Sequence, residues 1–128
     1  MRIFKIKDRM YQKNIRLIVG CSQKTLFDLL KKHYDVVLDS DSANGTYFKI
    51  ERDSKEVHII WVESFEWYIW EQSMLLHEIY HLVNAVMREI GMKLSEDSEE
   101  AYAYYLQSLM NEMFDKLTVY HPKKQKCN

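Results

Sequence analysis

Apolar and charged side chains alternate in Ile3-Phe4-Lys5-Ile6-Lys7, a period of two that predicts a half-buried strand. A second strand is predicted over Asn14–Val19, where Ile15-Arg16-Leu17-Ile18-Val19 is rich in branched side chains and stops at Gly20. The period then changes. Leu26, Leu29, Leu30 and Tyr34 recur at helical spacing behind Ser22, a residue type that caps helix starts, so a helix is expected over 23–34. The segment from Leu38 to Gly45 is rich in turn formers and ends in Asn44-Gly45, a pair that reverses the chain. Thr46–Arg52 and Glu56–Glu63 follow as two further strands, joined as a hairpin through Asp53-Ser54-Lys55. In the second of these, Val57, Ile59 and Trp61 share one face while Ile60 and Val62 occupy the other. That strand is expected to be covered on both sides.

From about Glu66 the helical period returns and holds to Gly91, a glycine suited to ending a helix. Leu94–Ser98 reconnects. Asp97 and Glu100 are spaced as a capping box for a last helix reaching about Leu117, with Ala103, Leu106, Met110, Met113 and Leu117 as its expected core stripe. The order ββαββαα predicts one small α+β domain over residues 1–118, its helices packed on one face of a sheet. Residues 119–128 read as a polar, basic tail.

Composition narrows the class without choosing a function. The 128 residues are 47% hydrophobic and 29% charged, with three Gly and one Pro, which excludes collagen-like and linker-dominated chains. No apolar run reaches the roughly 18 residues of a membrane span, and the opening residues do not resemble a secretory leader. Cys21 and Cys127 are far apart and form no disulfide framework, so a reducing, cytoplasmic setting is expected. Net charge is −1 but segregated: residues 1–34 hold nine Lys/Arg against two Asp, and residues 35–118 hold six against seventeen acids. Such a basic third could meet nucleic acid through Arg2, Lys5, Lys7, Arg9, Lys13 and Arg16. Facing the acidic remainder of its own fold is the preferred reading, which disfavours a nucleic-acid partner.

One motif carries chemistry. His77-Glu78-Ile79-Tyr80-His81 is an HExxH sequence within a predicted helix. Residues four apart share a helix face, so both imidazoles can reach one metal ion. Glu78 is turned by about 100° from His77, which sets its carboxylate beside such an ion as a general base. The apolar neighbours Leu75, Leu76, Val83, Val86 and Met87 suggest that this helix is buried, where two histidines and an acid would need a shared partner. A third ligand is expected from a separate element, and Glu100 follows His81 after eighteen intervening residues. Glu100 shares a face with Ala103, Tyr104 and Gln107, expected to pack toward the HExxH helix. Glu99, on the face of Tyr102 and Leu106, is its rival.

On these residues the chain resembles the gluzincin branch of the zincin metallopeptidases, over about half its length. More narrowly it resembles small zincin-like proteins of phages and other mobile elements, and more distantly ImmA/IrrE-type peptidases. Those keep a Glu-Ala third-ligand helix, as in Glu100-Ala101-Tyr102-Ala103-Tyr104. The resemblance implies a twisted sheet of about three to four strands, an active-site helix and a glutamate helix packed on it. It implies Zn2+ held by His77, His81 and Glu100, with Glu78 as base, and a protein or peptide substrate extended along an edge strand. Glu56–Val62 is the candidate strand bordering the cleft. Tyr104 is the candidate donor to a developing oxyanion, with Tyr80, Tyr102, Tyr105 and His121 as alternatives.

Weaker features add little. Gly20-Cys21-Ser22-Gln23-Lys24-Thr25 lacks phosphate-loop spacing, and Cys21 reads as an inert thiol. Trp61, Trp67, Tyr68 and Trp70 read as core, with a cleft wall as the alternative. The rival function is a zincin-fold binding module in which zinc is structural.

Overall fold

The computed structural model describes residues 1–38 and 43–121. Residues 39–42 of the expected turn, and the tail from 122 with Cys127, lie outside the described residues. The elements are β1 (Arg2–Lys7), β2 (Asn14–Val19), α1 (Gln23–Tyr34), β3 (Gly45–Arg52), β4 (Lys55–Val62), α2 (Ile69–Glu89) and α3 (Glu99–Tyr120). The strands form one mixed sheet in the order β1-β2-β4-β3. β2 and β4 are parallel, with Ile15 opposite His58 and Val19 opposite Val62, and the two outer pairings are antiparallel. A parallel pair needs a crossover, here α1 and β3 together. β3 is therefore an edge, and β4 lies inside the sheet. The hairpin between them turns in two residues, not three: Arg52 pairs with Lys55, and Asp53 and Ser54 both take positive φ, the signature of a type I′ turn.

Helices cover both faces of the sheet, which corrects the one-faced expectation. Ile18, Ile50, Val57, Ile59 and Trp61 pack with Leu26 and Leu30 of α1 on one side. Leu17, Val19, Ile60 and Val62 pack with α2 and α3 on the other. The physical reason is visible in β2 and β4, whose apolar residues occupy both parities, so each central strand needs two layers. The charged residues of β1 alternate outward from buried Phe4 and Ile6, protecting that edge.

Two helix starts differ from expectation, each because a polar side chain is used elsewhere. Glu71, almost fully buried, accepts from the amides of Glu66 (2.6 Å) and Tyr68 (3.2 Å) and from the Ser64 hydroxyl (2.9 Å). Those bonds hold 64–68 as a tight entry, with Trp67 at positive φ, and the helix begins at Ile69 instead of Glu66. Ser98, not Asp97, precedes α3, and the Asp97–Glu100 capping box is not made. The Ser98 hydroxyl is bound into the preceding turn by Lys93 and Ser95. At its other end α3 continues past Leu117 to Tyr120, whose ring meets Phe4 edge-on at 6.3 Å.

The buried stripe of α3 is also rotated. Tyr102, Tyr105, Leu109, Met113 and Leu117 face inward, while Ala103 is exposed. Both tyrosines can be buried because their hydroxyls find acceptors: Tyr102 donates to the Met92 carbonyl (2.7 Å) and Tyr105 to Asp8 (2.8 Å). Buried Asp8 also accepts from the amides of Met10, Tyr11 and Lys13, tying the β1–β2 loop to α3. No helix among the described residues is long and apolar enough to cross a membrane.

Candidate metal centre

The core side of α2 carries Leu75, Ile79, Leu82, Val83, Val86 and Met87. His77 and His81 fall on the opposite side and are exposed, contrary to the expectation of a buried motif. The apolar flanking residues belong to the core stripe, and the histidines lie off it. Their Nε2 atoms are 3.1 Å apart, with the rings edge-on at 4.8 Å. Two zinc-bound imidazole nitrogens, each about 2.0–2.1 Å from one tetrahedral ion, sit about 3.3 Å apart, so the pair fits a shared cation. An N–H···N bond between the rings has the same reach.

Glu78 turns toward the sheet. Its Oε2 accepts the backbone N–H of Tyr47 at 2.7 Å, placing the carboxylate against β3. Tyr47 stands opposite Ile60 with its N–H directed off the edge, and in an antiparallel ladder this direction alternates along the strand. Gly45 permits the close approach of β3 to α2: a Cβ there would lie 3.0 Å from the Met74 sulfur. Between strand and helix runs an open groove of about 430 Å3, lined by Thr46, Tyr47, Glu78, His81, Asn84, Ala85 and Arg88. The strand bordering this groove is thus β3, in place of the expected Glu56–Val62, because the crossover puts β4 inside the sheet.

The structure does not gather Glu100 onto the histidines. Glu100 and Glu99 are exposed in the first turn of α3, and Ala103, Tyr104 and Gln107 are exposed further along it. The face chosen for Glu100 points to solvent because Tyr102 and Tyr105 take the inward positions. Tyr104 is 58% exposed, Tyr80 is exposed beside the pair, Tyr102 and Tyr105 are committed to the core, and His121 is exposed at the end of α3. The aromatic cluster divides as well. Trp61 is in the α1 core, donating to the Cys21 carbonyl at 2.9 Å, and Trp67 packs on Phe65 and Phe114. Tyr68 and Trp70 are exposed at the start of α2. Burial pushes the Cys21 thiol up, in keeping with an inert cysteine. Of the basic third, Arg9 pairs with Glu112 at 2.6 Å and Lys13 with Glu56 and Glu89 at 3.1 Å.

A different cluster was not anticipated. Among the described residues, Glu56, His58 and Glu89 form the one group of His, Cys, Asp or Glu side chains whose three ligand atoms lie within 4.8 Å of one another. Glu56 and His58 share a strand face at i and i+2, and Glu89 comes from the end of α2. Burial alone would push the Glu89 carboxyl up, but bonds from Lys49 and Lys13 hold it down at about 2. Burial lowers His58, while the Tyr47 hydroxyl, desolvated and near Glu89, is pushed up to about 12. The alternation of Glu56 with His58 was the available sequence clue; the partner from α2 had none.

No family model, curated protein or solved structure matches the chain.

Proposed function

We propose that the chain is a zinc-dependent peptidase that cleaves protein or peptide substrates extended along β3, using His77 and His81 as ligands and Glu78 as base. The observation that supports this most is the paired Nε2 atoms at 3.1 Å beside a carboxylate that touches an edge-strand amide at 2.7 Å. Glu100 is the proposed third ligand, and completing the set requires it to turn onto the pair from the start of α3. Zinc held there would make water more acidic and polarise a carbonyl oxygen. Glu78 then takes a proton from the attacking water and returns it to the amine as the C–O bond forms and the C–N bond breaks. β3 offers outward backbone groups for pairing with an extended chain, the usual mode of strand addition. Tyr104 is retained as the proposed oxyanion donor, on the helix that would bring Glu100 inward.

One observation favours the alternative of a binding module with structural zinc: Glu100 stands away from the histidines. The two readings separate in one experiment. Wild type and Glu78→Gln are incubated with a cellular proteome, and new protein termini are compared. The peptidase reading expects termini made by wild type alone. No Glu78-dependent termini, with the same partner retained by both forms, would establish the binding module instead.

A further inference from the structure

His58 is fully buried, and among the described residues its Nε2 has no hydrogen-bond partner. That atom faces two carboxylates almost equally, at 3.7 Å from Glu56 Oε1 and 3.6 Å from Glu89 Oε1. Both separations are too long for a good hydrogen bond. They match ligand atoms around a common ion, which at metal–ligand distances of about 2.0–2.2 Å sit about 3.3–4 Å apart. We propose that Glu56, His58 and Glu89 form a binding site for a divalent transition cation, separate from the HExxH pair and not dependent on the peptidase reading.

The surroundings support a ligand role for the imidazole. Its other nitrogen, Nδ1, is 2.7 Å from the Tyr47 hydroxyl. A second contact of this kind fixes the ring and its tautomer, as at most histidine-ligated metals. With Nδ1–H donating to Tyr47, Nε2 keeps a free lone pair within 3.6–3.7 Å of both carboxylates. Two carboxylates and one imidazole suit Zn2+ or Mn2+.

Two lysines oppose the ion. Lys13 bonds both Glu56 and Glu89 at 3.1 Å, and Lys49 bonds Glu89 at 3.0 Å and Glu51 at 2.7 Å. Their side chains remain 22% and 31% exposed, so each ammonium can turn into water on its flexible stem as the cation enters. Binding is therefore a competition, and removing a lysine strengthens it. Tyr47 also connects this site with the groove, since its amide is held by Glu78 and its hydroxyl by His58. Cation binding would stiffen β3 where Glu78 contacts it.

The test starts from a His77→Ala/His81→Ala double variant, which lacks the exposed pair. Zinc is titrated, unbound metal is removed by gel filtration, and bound metal is measured by elemental analysis. The expected result is about one ion per chain. In the same background His58→Gln loses it, and Glu89→Gln supplies the same answer should the buried substitution impair folding. Tyr47→Phe weakens binding roughly 10–100-fold, and Lys49→Gln tightens it. A double variant that binds no zinc, or zinc indifferent to His58 and Glu89 substitution, overturns the proposal. Glu78-dependent cleavage by wild type is read separately, so either idea can fail alone.

Discussion

His77 and His81 project into solvent from the middle of α2, whereas His58 is sealed between β4 and the end of that helix. The exposed rings can exchange partners with water at little cost, and His81 lines the open groove beside β3. The sealed ring has no water to turn to, and its Nε2, without a hydrogen-bond partner among the described residues, needs one brought to it. Its neighbourhood is correspondingly elaborate: two acids, two lysines and a tyrosine converge from four parts of the chain. Substitution of the exposed rings and of the sealed ring should therefore have different consequences.

That contrast can be broken by substitution. The largest expected effect is on rate. Glu78→Gln should reduce cleavage about 10²–10⁴-fold by removing proton transfer. Its amide oxygen can still accept the Tyr47 N–H, so thermal unfolding should barely move. A parallel fall in melting temperature would instead mark Glu78 as structural.

Next comes stability. His58→Ala should cost about 2–4 kcal/mol, because it opens a cavity and leaves the Tyr47 hydroxyl and two acids without the ring between them. His77→Ala should stay within about 0.5 kcal/mol, as exposed substitutions do. Equal effects in denaturant melts would contradict the difference between a sealed and an exposed ring.

A smaller contrast sits on α3. Tyr105→Phe removes the hydroxyl that donates to buried Asp8, at an expected cost of about 1.5–3 kcal/mol for a bond to a charged group. Tyr104→Phe, on the exposed face, should change stability by less than about 0.5 kcal/mol. If Tyr104→Phe lowers cleavage while leaving the melt unchanged, its proposed role at the oxyanion is sharpened.

What the sequence made legible follows the range of the forces involved. Asn14–Val19 and residues 23–34 are observed with the expected bounds, because alternation, branched side chains and the Ser22 cap act locally. The histidine pair was legible for the same reason, as one helical turn brings i and i+4 together. The start of α2 was not, since Glu71 binds backbone groups as far back as residue 66 and holds them out of the helix. The stripe of α3 was misjudged because Tyr105 is inward only if Asp8, 97 residues earlier, accepts a hydrogen bond from its hydroxyl. The edge role of β3 depends on strand order, which no single segment encodes. The same holds for His58, whose carboxylate from α2 lies thirty-one positions along the chain.

The proposed activity turns on whether the exposed pair binds zinc. Elemental analysis of wild type beside His81→Ala, prepared identically, tests it most directly. The variant should carry about one zinc per chain fewer than wild type, with an unchanged melting profile once both are metal-free. Equal zinc content in the two proteins would contradict it.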